Sequence, residues 1–255
     1  METKKESQAL AINKQTVKGN LAAEPNFKET KSGHLMAEFS VAHPVKRKTG
    51  IDTNYISVVA FGDKAEEIKK LGLDKGAFVE VSGKANFYEL DGKAGKHYQN
   101  AIIANQTLVL EKGVKPTITN HNEIEIKGNL TADPEFVNKG DMLIANLRLA
   151  NNHKTTKEGE NKVMFYNVSL YGKTAEMAEQ NKLSKGDTVG VKGSVENGQF
   201  ATENGNRYTT KVNAGYIELN SSKEQVIDAE HAPTVDLSAE KSEGQEKKRS
   251  KEMSM

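Results

Sequence analysis

The sequence contains no cysteine and no tryptophan. Without thiols there is no disulfide scaffold and no thiolate metal site, which fits a reducing compartment and an expected cytoplasmic location. No run of eighteen apolar residues occurs, so no membrane-spanning helix and no membrane partner are expected. The polar stretch Met1 to Gln8 is followed by no apolar segment of the signal-peptide kind, so no secretory signal is expected either. Excess charge is also missing. The net charge is +3 over residues 1–112, zero over 113–220 and −2 over 221–255. That excludes a histone-like polycation, and any phosphate binding must come from local patches. The six histidines are scattered without metal-ligand spacing and are expected at the surface. There is no Gly-Lys-Ser/Thr phosphate loop, no dinucleotide glycine fingerprint and no carboxylate pair shared by the two halves. Neither a cofactor, a metal nor an enzyme is expected.

What the sequence does contain is itself, twice. Val17-Lys18-Gly19-Asn20-Leu21 recurs as Ile126-Lys127-Gly128-Asn129-Leu130, and Glu24-Pro25 recurs as Asp133-Pro134. Gly62, Gly83 and Tyr98 recur as Gly172, Gly193 and Tyr208, at an offset that stays between 108 and 110 residues. A unit of about 100 residues is a duplicated domain, because solenoid repeats run about 20–50.

Each unit reads strand, strand, strand, helix, strand, strand. In the first unit the strands are expected at Thr16 to Leu21, Met36 to Ala42, Tyr55 to Phe61, Ala77 to Ala85 and Tyr98 to Ala104. The helix is expected over Asp63 to Leu71, with Ala65, Ile68 and Leu71 on one face, and its counterpart over Thr174 to Asn181. The polar connection His43 to Asn54 predicts a projecting hairpin between the second and third strands. Five strands with one helix after the third describe an OB-fold, a Greek-key barrel. The chain is therefore all-β: a flexible segment 1–14, OB-fold 15–111, linker 112–122, OB-fold 123–220 and a disordered tail 221–255. The linker is long enough for the barrels to move independently. Gly19 and Gly128 are expected to permit close backbone packing at a barrel bend.

The central strand of each unit splits into two rows. Ile56, Val58 and Ala60, like Tyr166, Val168 and Leu170, suit a core. The opposite rows are Tyr55, Ser57, Val59, Phe61 and Phe165, Asn167, Ser169, Tyr171. Rings at both ends with small or polar residues between them suit flat groups such as nucleic-acid bases.

Gly-Asn-Leu followed by Asp/Glu-Pro, the central strand ending Phe61-Gly62 or Tyr171-Gly172, and Gly205-Asn206-Arg207-Tyr208-Thr209-Thr210 together resemble the bacterial single-stranded DNA-binding protein family, here in tandem over 15–110 and 124–219. The resemblance implies single-stranded DNA as partner. It also implies base-stacking rings at Tyr55, Phe61, Phe165 and Tyr171 and, in the hairpin between the last two strands, at Phe200. The first unit has Leu90 there, with Phe87 and Tyr88 nearby as substitutes. The ring usual in the hairpin between strands two and three is replaced by Lys46, Arg47 and Lys48 in the first unit and by Lys154 in the second, where Arg148 is a further candidate cation; arginine can stack as well as pair with phosphate. Three adjacent cations predict a steeper salt dependence for the first unit than for the second. The family's acidic tip with a terminal Pro-Phe is not matched by Lys251-Glu252-Met253-Ser254-Met255, which implies no recruitment of replication proteins by that route and a specialised origin such as a phage, plasmid or conjugative element. Because the family works with four OB-folds, the resemblance implies a homodimer, with a DNA-coating monomer as the alternative. Other functions open at this stage are an RNA-binding OB protein and a protein-interaction adaptor built on OB barrels.

Overall fold

The computed structural model of the protein describes residues 12–47, 50–92, 95–111, 121–154, 161–203 and 205–219. In the first unit, β1 (Asn13–Leu21), β2 (Asn26–Glu29), β3 (Leu35–Arg47) and β4 (Gly50–Phe61) precede helix α1 (Asp63–Leu71), and β5 (Phe78–Gly92) and β6 (Gly95–Glu111) follow it. The second repeats the series as β7 (Asn122–Leu130), β8 (Glu135–Lys139), β9 (Met142–Lys154), β10 (Asn161–Tyr171), α2 (Lys173–Gln180), β11 (Thr188–Thr202) and β12 (Gly205–Leu219). Pairing runs β1-β3-β4-β6-β5 and back to β1, and β7-β9-β10-β12-β11 and back to β7, with β4–β6 and β10–β12 parallel. These are two closed five-stranded OB barrels. The short β2 and β8 add a sixth strand outside each barrel, on β3 and β9. Asn-Phe-Lys-Glu carries no clear period of its own, and its extended shape comes from the β3 edge it lies against. Most of 112–122 and all of 221–255 fall outside the described residues, while β1 already begins inside the stretch 1–14. Among the described residues no helix is long and apolar enough to cross a membrane.

The central strands set the register. Ile56, Val58, Ala60, Tyr166, Val168 and Leu170 are all buried. A slip of one residue would turn this row outward and lose about 1.5–3 kcal/mol for each large side chain. The helices close the barrel ends through Ala65, Ile68, Ala175, Met177 and Ala178. Leu71, expected on the inner face, is exposed: α1 stops there, Gly72 takes a left-handed conformation, and the chain turns so that Leu73 is buried instead.

Glycines 19 and 128 do allow close backbone approach. A Cβ at Gly19 would sit 2.3 Å from the Ala42 carbonyl oxygen, and one at Gly128 would sit 2.4 Å from that of Ala150. At these points β1 and β7 bend from one neighbouring strand to the next, which closes the barrels.

The barrels are not independent. Residues Asn13 to Val17 of β1 pair antiparallel with Asn122 to Ile126 of β7, so all twelve strands form one continuous sheet. An approximate two-fold axis passes through this seam. Asn13 brackets the backbone N–H and carbonyl of Ala85, each at 2.9 Å, and Asn122 brackets Val195 in the same way at 3.4 and 2.7 Å. Each bracketed carbonyl is also reached from the other unit. The Tyr166 hydroxyl donates to Ala85 at 3.1 Å, and Asn54 donates to Val195 at 2.7 Å. Burial pushes the Tyr166 pKa up and keeps the hydroxyl a donor.

His43 departs from the expected surface position. It is buried on β3, and its Nδ1 donates to the Lys18 carbonyl at 3.0 Å. Asn151 occupies the related place in the second unit and donates to the Lys127 carbonyl at 2.6 Å. Burial lowers the His43 pKa, the Lys18 hydrogen bond opposes this, and the charge of His121 adds to it.

Two stability predictions follow from this geometry. Gly19→Ala is expected to destabilise by about 1–3 kcal/mol through overpacking against backbone that cannot yield. Gly190→Ala, whose nearest neighbours are Glu218 side-chain atoms at 3.3 Å, should be milder. Equal midpoints for the two variants in thermal unfolding would refute the close-packing account. His43 stays neutral in the native state while the unfolded state takes up a proton near pH 6.5, so its contribution is full above about 6.5 and is lost as pH falls toward its lowered folded pKa. In that window His43→Asn should flatten the pH dependence of the unfolding free energy, by up to about 1.4 kcal/mol per pH unit. Chemical denaturation at pH 5 to 8 reads the difference, and parallel curves would contradict it.

Candidate nucleic-acid interface

The outer row of β4 is open to solvent. Tyr55 and Phe61 are 55% and 45% exposed, and Ile103 of the neighbouring β6 is exposed beside Val59. The first unit thus presents a mostly apolar surface with a ring at each end. A folded protein does not ordinarily leave two rings and an isoleucine grouped in water on one sheet face, so the grouping itself points to a ligand.

The outer row of β10 differs. Phe165 is 47% exposed, and the Arg148 guanidinium lies 5.1 Å from its ring centroid. Tyr171, read from the sequence as the second platform, is 6% exposed. Its hydroxyl donates to Asn213 Oδ1 at 3.1 Å and accepts from Lys211 at 3.3 Å. Phe61 has no hydroxyl to anchor, and the β6 counterparts of Lys211 and Asn213 are Ala101 and Ile103, paired with Ser57 and Val59. The same strand position is therefore a free ring in one unit and a tethered one in the other.

Arg47 also departs from expectation. It does not project from the hairpin as a free cation. Its Nε pairs with Asp52 at 2.9 Å, and its Nη2 crosses to Glu196 of the second unit at 2.8 Å. Partial burial works against the charge, but the hydrogen bonds to Glu196 and Asp52 outweigh it and raise the pKa. Glu196 in turn accepts from Asn213 at 2.6 Å. The cluster expected to steepen the first unit's salt dependence is thereby reduced at its centre. Lys46 remains exposed, Lys48 lies outside the described residues, and so do the side chains of Lys154 and Phe200.

Phe87, from β5, faces the second unit, while the Tyr88 side chain points to the opposite face of that strand, on the side of Gln99. The Phe87 ring packs on buried Tyr166, with centroids 4.7 Å apart at 59°, so one of its faces is already used. Tyr88 is half-buried and donates to Gln99 at 3.3 Å; its pKa is raised by burial and then by the charge of Glu38. With Arg148, Phe165, Val163 and Asn167 they line a cleft of about 130 Å³ between the units. Four of the sequence candidates (Phe87, Tyr88, Arg148 and Phe165) meet there. Val163, Met164 and Thr210 also line it, and sequence reasoning missed them because each unit was read alone. A usable signal did exist: the copies differ at these positions, with Phe87-Tyr88 in one and Asn197-Gly198 in the other. Tyr208 is exposed and lies against His97 across the junction, with ring centroids 5.5 Å apart.

Comparison with known proteins agrees with this architecture. Residues 12–110 and 121–220 each match the profile of the Single-strand binding protein family. The single-stranded DNA-binding protein of Deinococcus radiodurans is 26% identical over 221 residues, covering 78% of this chain and 72% of its own. Single-stranded DNA-binding protein 2 of Clostridium acetobutylicum is 32% identical over 101 residues, 38% of this chain and 75% of its own. The crystal structure of the wild-type single-stranded DNA binding protein from Thermus aquaticus superposes with a TM-score of 0.65 at 25% identity, over 86% of this chain and 98% of that one. Two profile matches, one on each barrel and together spanning most of the sequence, place the chain in the single-strand binding protein family.

Proposed function

We propose that the protein binds single-stranded DNA without sequence preference, protecting it during replication, repair or DNA transfer. One observation carries this reading: Tyr55, Phe61 and Phe165 stand exposed on the face opposite a fully buried row, in a chain of this family. Every base has a π-face, so stacking on such rings is tolerant of sequence. The ring-rich first unit contributes mainly stacking, and the second adds charge through Arg148. Lys46, Lys48 and Lys154 are the candidates for phosphate pairing, and Phe200 for a further ring. Tyr171 and Arg47 serve the architecture. The lack of cysteine supports a reducing, cytoplasmic setting.

Titration of labelled oligo(dT), oligo(U) and duplex DNA tests the function, with oligo(dT) expected to bind tightest. Tyr55→Ala and Phe165→Ala should each weaken oligo(dT) binding by about 1–3 kcal/mol while the fold survives. Tyr171→Phe should instead leave binding nearly unchanged. Unaltered affinity in a folded Tyr55→Ala, Phe165→Ala double variant would sink the stacking account.

Assembly is proposed as a homodimer, bringing four barrels together. Closed two-fold symmetry is the commonest form of oligomer and would repeat the approximate two-fold already built into the chain. Light scattering at micromolar concentration should give about twice the chain mass of 27.9 kDa. A mass equal to one chain would leave the DNA-coating monomer.

A further inference from the structure

The approximate two-fold axis brings a strand of each unit against the other unit on both sides of the β1–β7 seam, and the sequence makes these two junctions unlike. Ala85 corresponds to Val195, so Phe87, Tyr88 and Glu89 correspond to Asn197, Gly198 and Gln199, and Phe165 corresponds to Tyr55. Where one junction offers the Phe87 ring, the other has the Asn197 amide, which donates to the Tyr55 carbonyl at 2.7 Å. Asn54 donates to Val195 beside it, also at 2.7 Å, and Arg47 binds Glu196 over the top at 2.8 Å. The side chains of that ion pair are 14% and 10% exposed. A nucleotide entering there would have to part a mostly desolvated pair and leave a charge uncompensated. That junction is latched.

The opposite junction is the open cleft of about 130 Å³, with Tyr88 from one unit and Phe165 and Arg148 from the other. We propose that a single strand passes from one unit to the other through this cleft, held by both units at once. This rests on the reading that the chain binds single-stranded DNA and adds the route. The bases face Tyr88 and the exposed side of Phe165. The phosphates lie toward Arg148, whose guanidinium sits over the Phe165 ring.

The absence of tryptophan gives a clean test, since a single introduced indole is then the sole such fluorophore. In the full chain carrying Tyr88→Trp, oligo(dT) is expected to quench the emission at the concentrations where anisotropy of a labelled oligo(dT) reports binding. Adding Arg148→Glu, on the other unit, should move that quenching to concentrations higher by about tenfold or more. Circular dichroism checks the fold, and if Tyr88→Trp does not fold, Glu89→Trp at the rim of the same cleft replaces it. A rise in anisotropy with no quenching overturns the route and leaves the DNA-binding reading standing. Quenching that Arg148→Glu does not alter also overturns it, because the second unit then takes no part. No anisotropy change with the unsubstituted chain removes the DNA-binding reading itself.

Discussion

The pairing of β1 with β7 is the interaction on which the rest of the molecule depends. Along one edge Gln15 to Asn20 of β1 are held by β5, but along the other only Asn20 and Leu21 reach β3. The first half of that edge is left with unpaired backbone groups, a template for another strand. The second unit presents the same half-covered edge on β7, and the two satisfy each other with Asn13 opposite Ile126 and Val17 opposite Asn122. A barrel of about 100 residues has limited surface to bury, so joining two across backbone hydrogen bonds and the Phe87–Tyr166 contact gives each more core than it has alone.

Duplication would by itself produce a symmetric object, and the departures from symmetry are where the chemistry lies. Glu196 stands where the first unit has Asn86, and Asn213 stands where it has Ile103. These two changes give Arg47 a partner across the junction and tether Tyr171, so that side becomes a polar, well-packed contact. On the other side Phe87 and Tyr88 stand in place of Asn197 and Gly198; Phe87 packs on Tyr166, and the Tyr88 hydroxyl bonds within its own unit, to Gln99. They leave a cleft lined by rings, Val163 and Met164, with Arg148, Glu89, Asn167 and Thr210 as its polar residues. The same backbone relation thus yields a structural joint and a binding groove.

The division extends to the outer faces. The first unit's face, with Tyr55, Phe61 and Ile103, is suited to burying base surface and offers little charge. The second unit's face holds Phe165 under Arg148 and a polar field from Asn146 to Asn213. Stacking is insensitive to salt and phosphate pairing is not. A strand lying across both units is therefore held by two mechanisms that weaken under different conditions.

By itself the sequence determined the family, the duplication, the order of strands and helices in each barrel, and which row of each central strand is buried. These are local properties: period-two alternation, helix-forming runs and glycines at bends are written in neighbouring residues. It also marked Tyr55, Phe61 and Phe165 as exposed rings, because an aromatic row opposite an apolar one is visible in eight residues. The fates of Arg47, Tyr171 and His43 were decided by tertiary structure. Each is defined by partners from distant segments, Glu196 for Arg47, Asn213 and Lys211 for Tyr171, Lys18 for His43, and no local pattern encodes those meetings. The short β2 and β8 belong with them, since an edge strand without an apolar period is fixed by the strand it pairs with. The cleft between the units, which needs Tyr88 from one barrel beside Phe165 from the other, came into being only when β1 met β7.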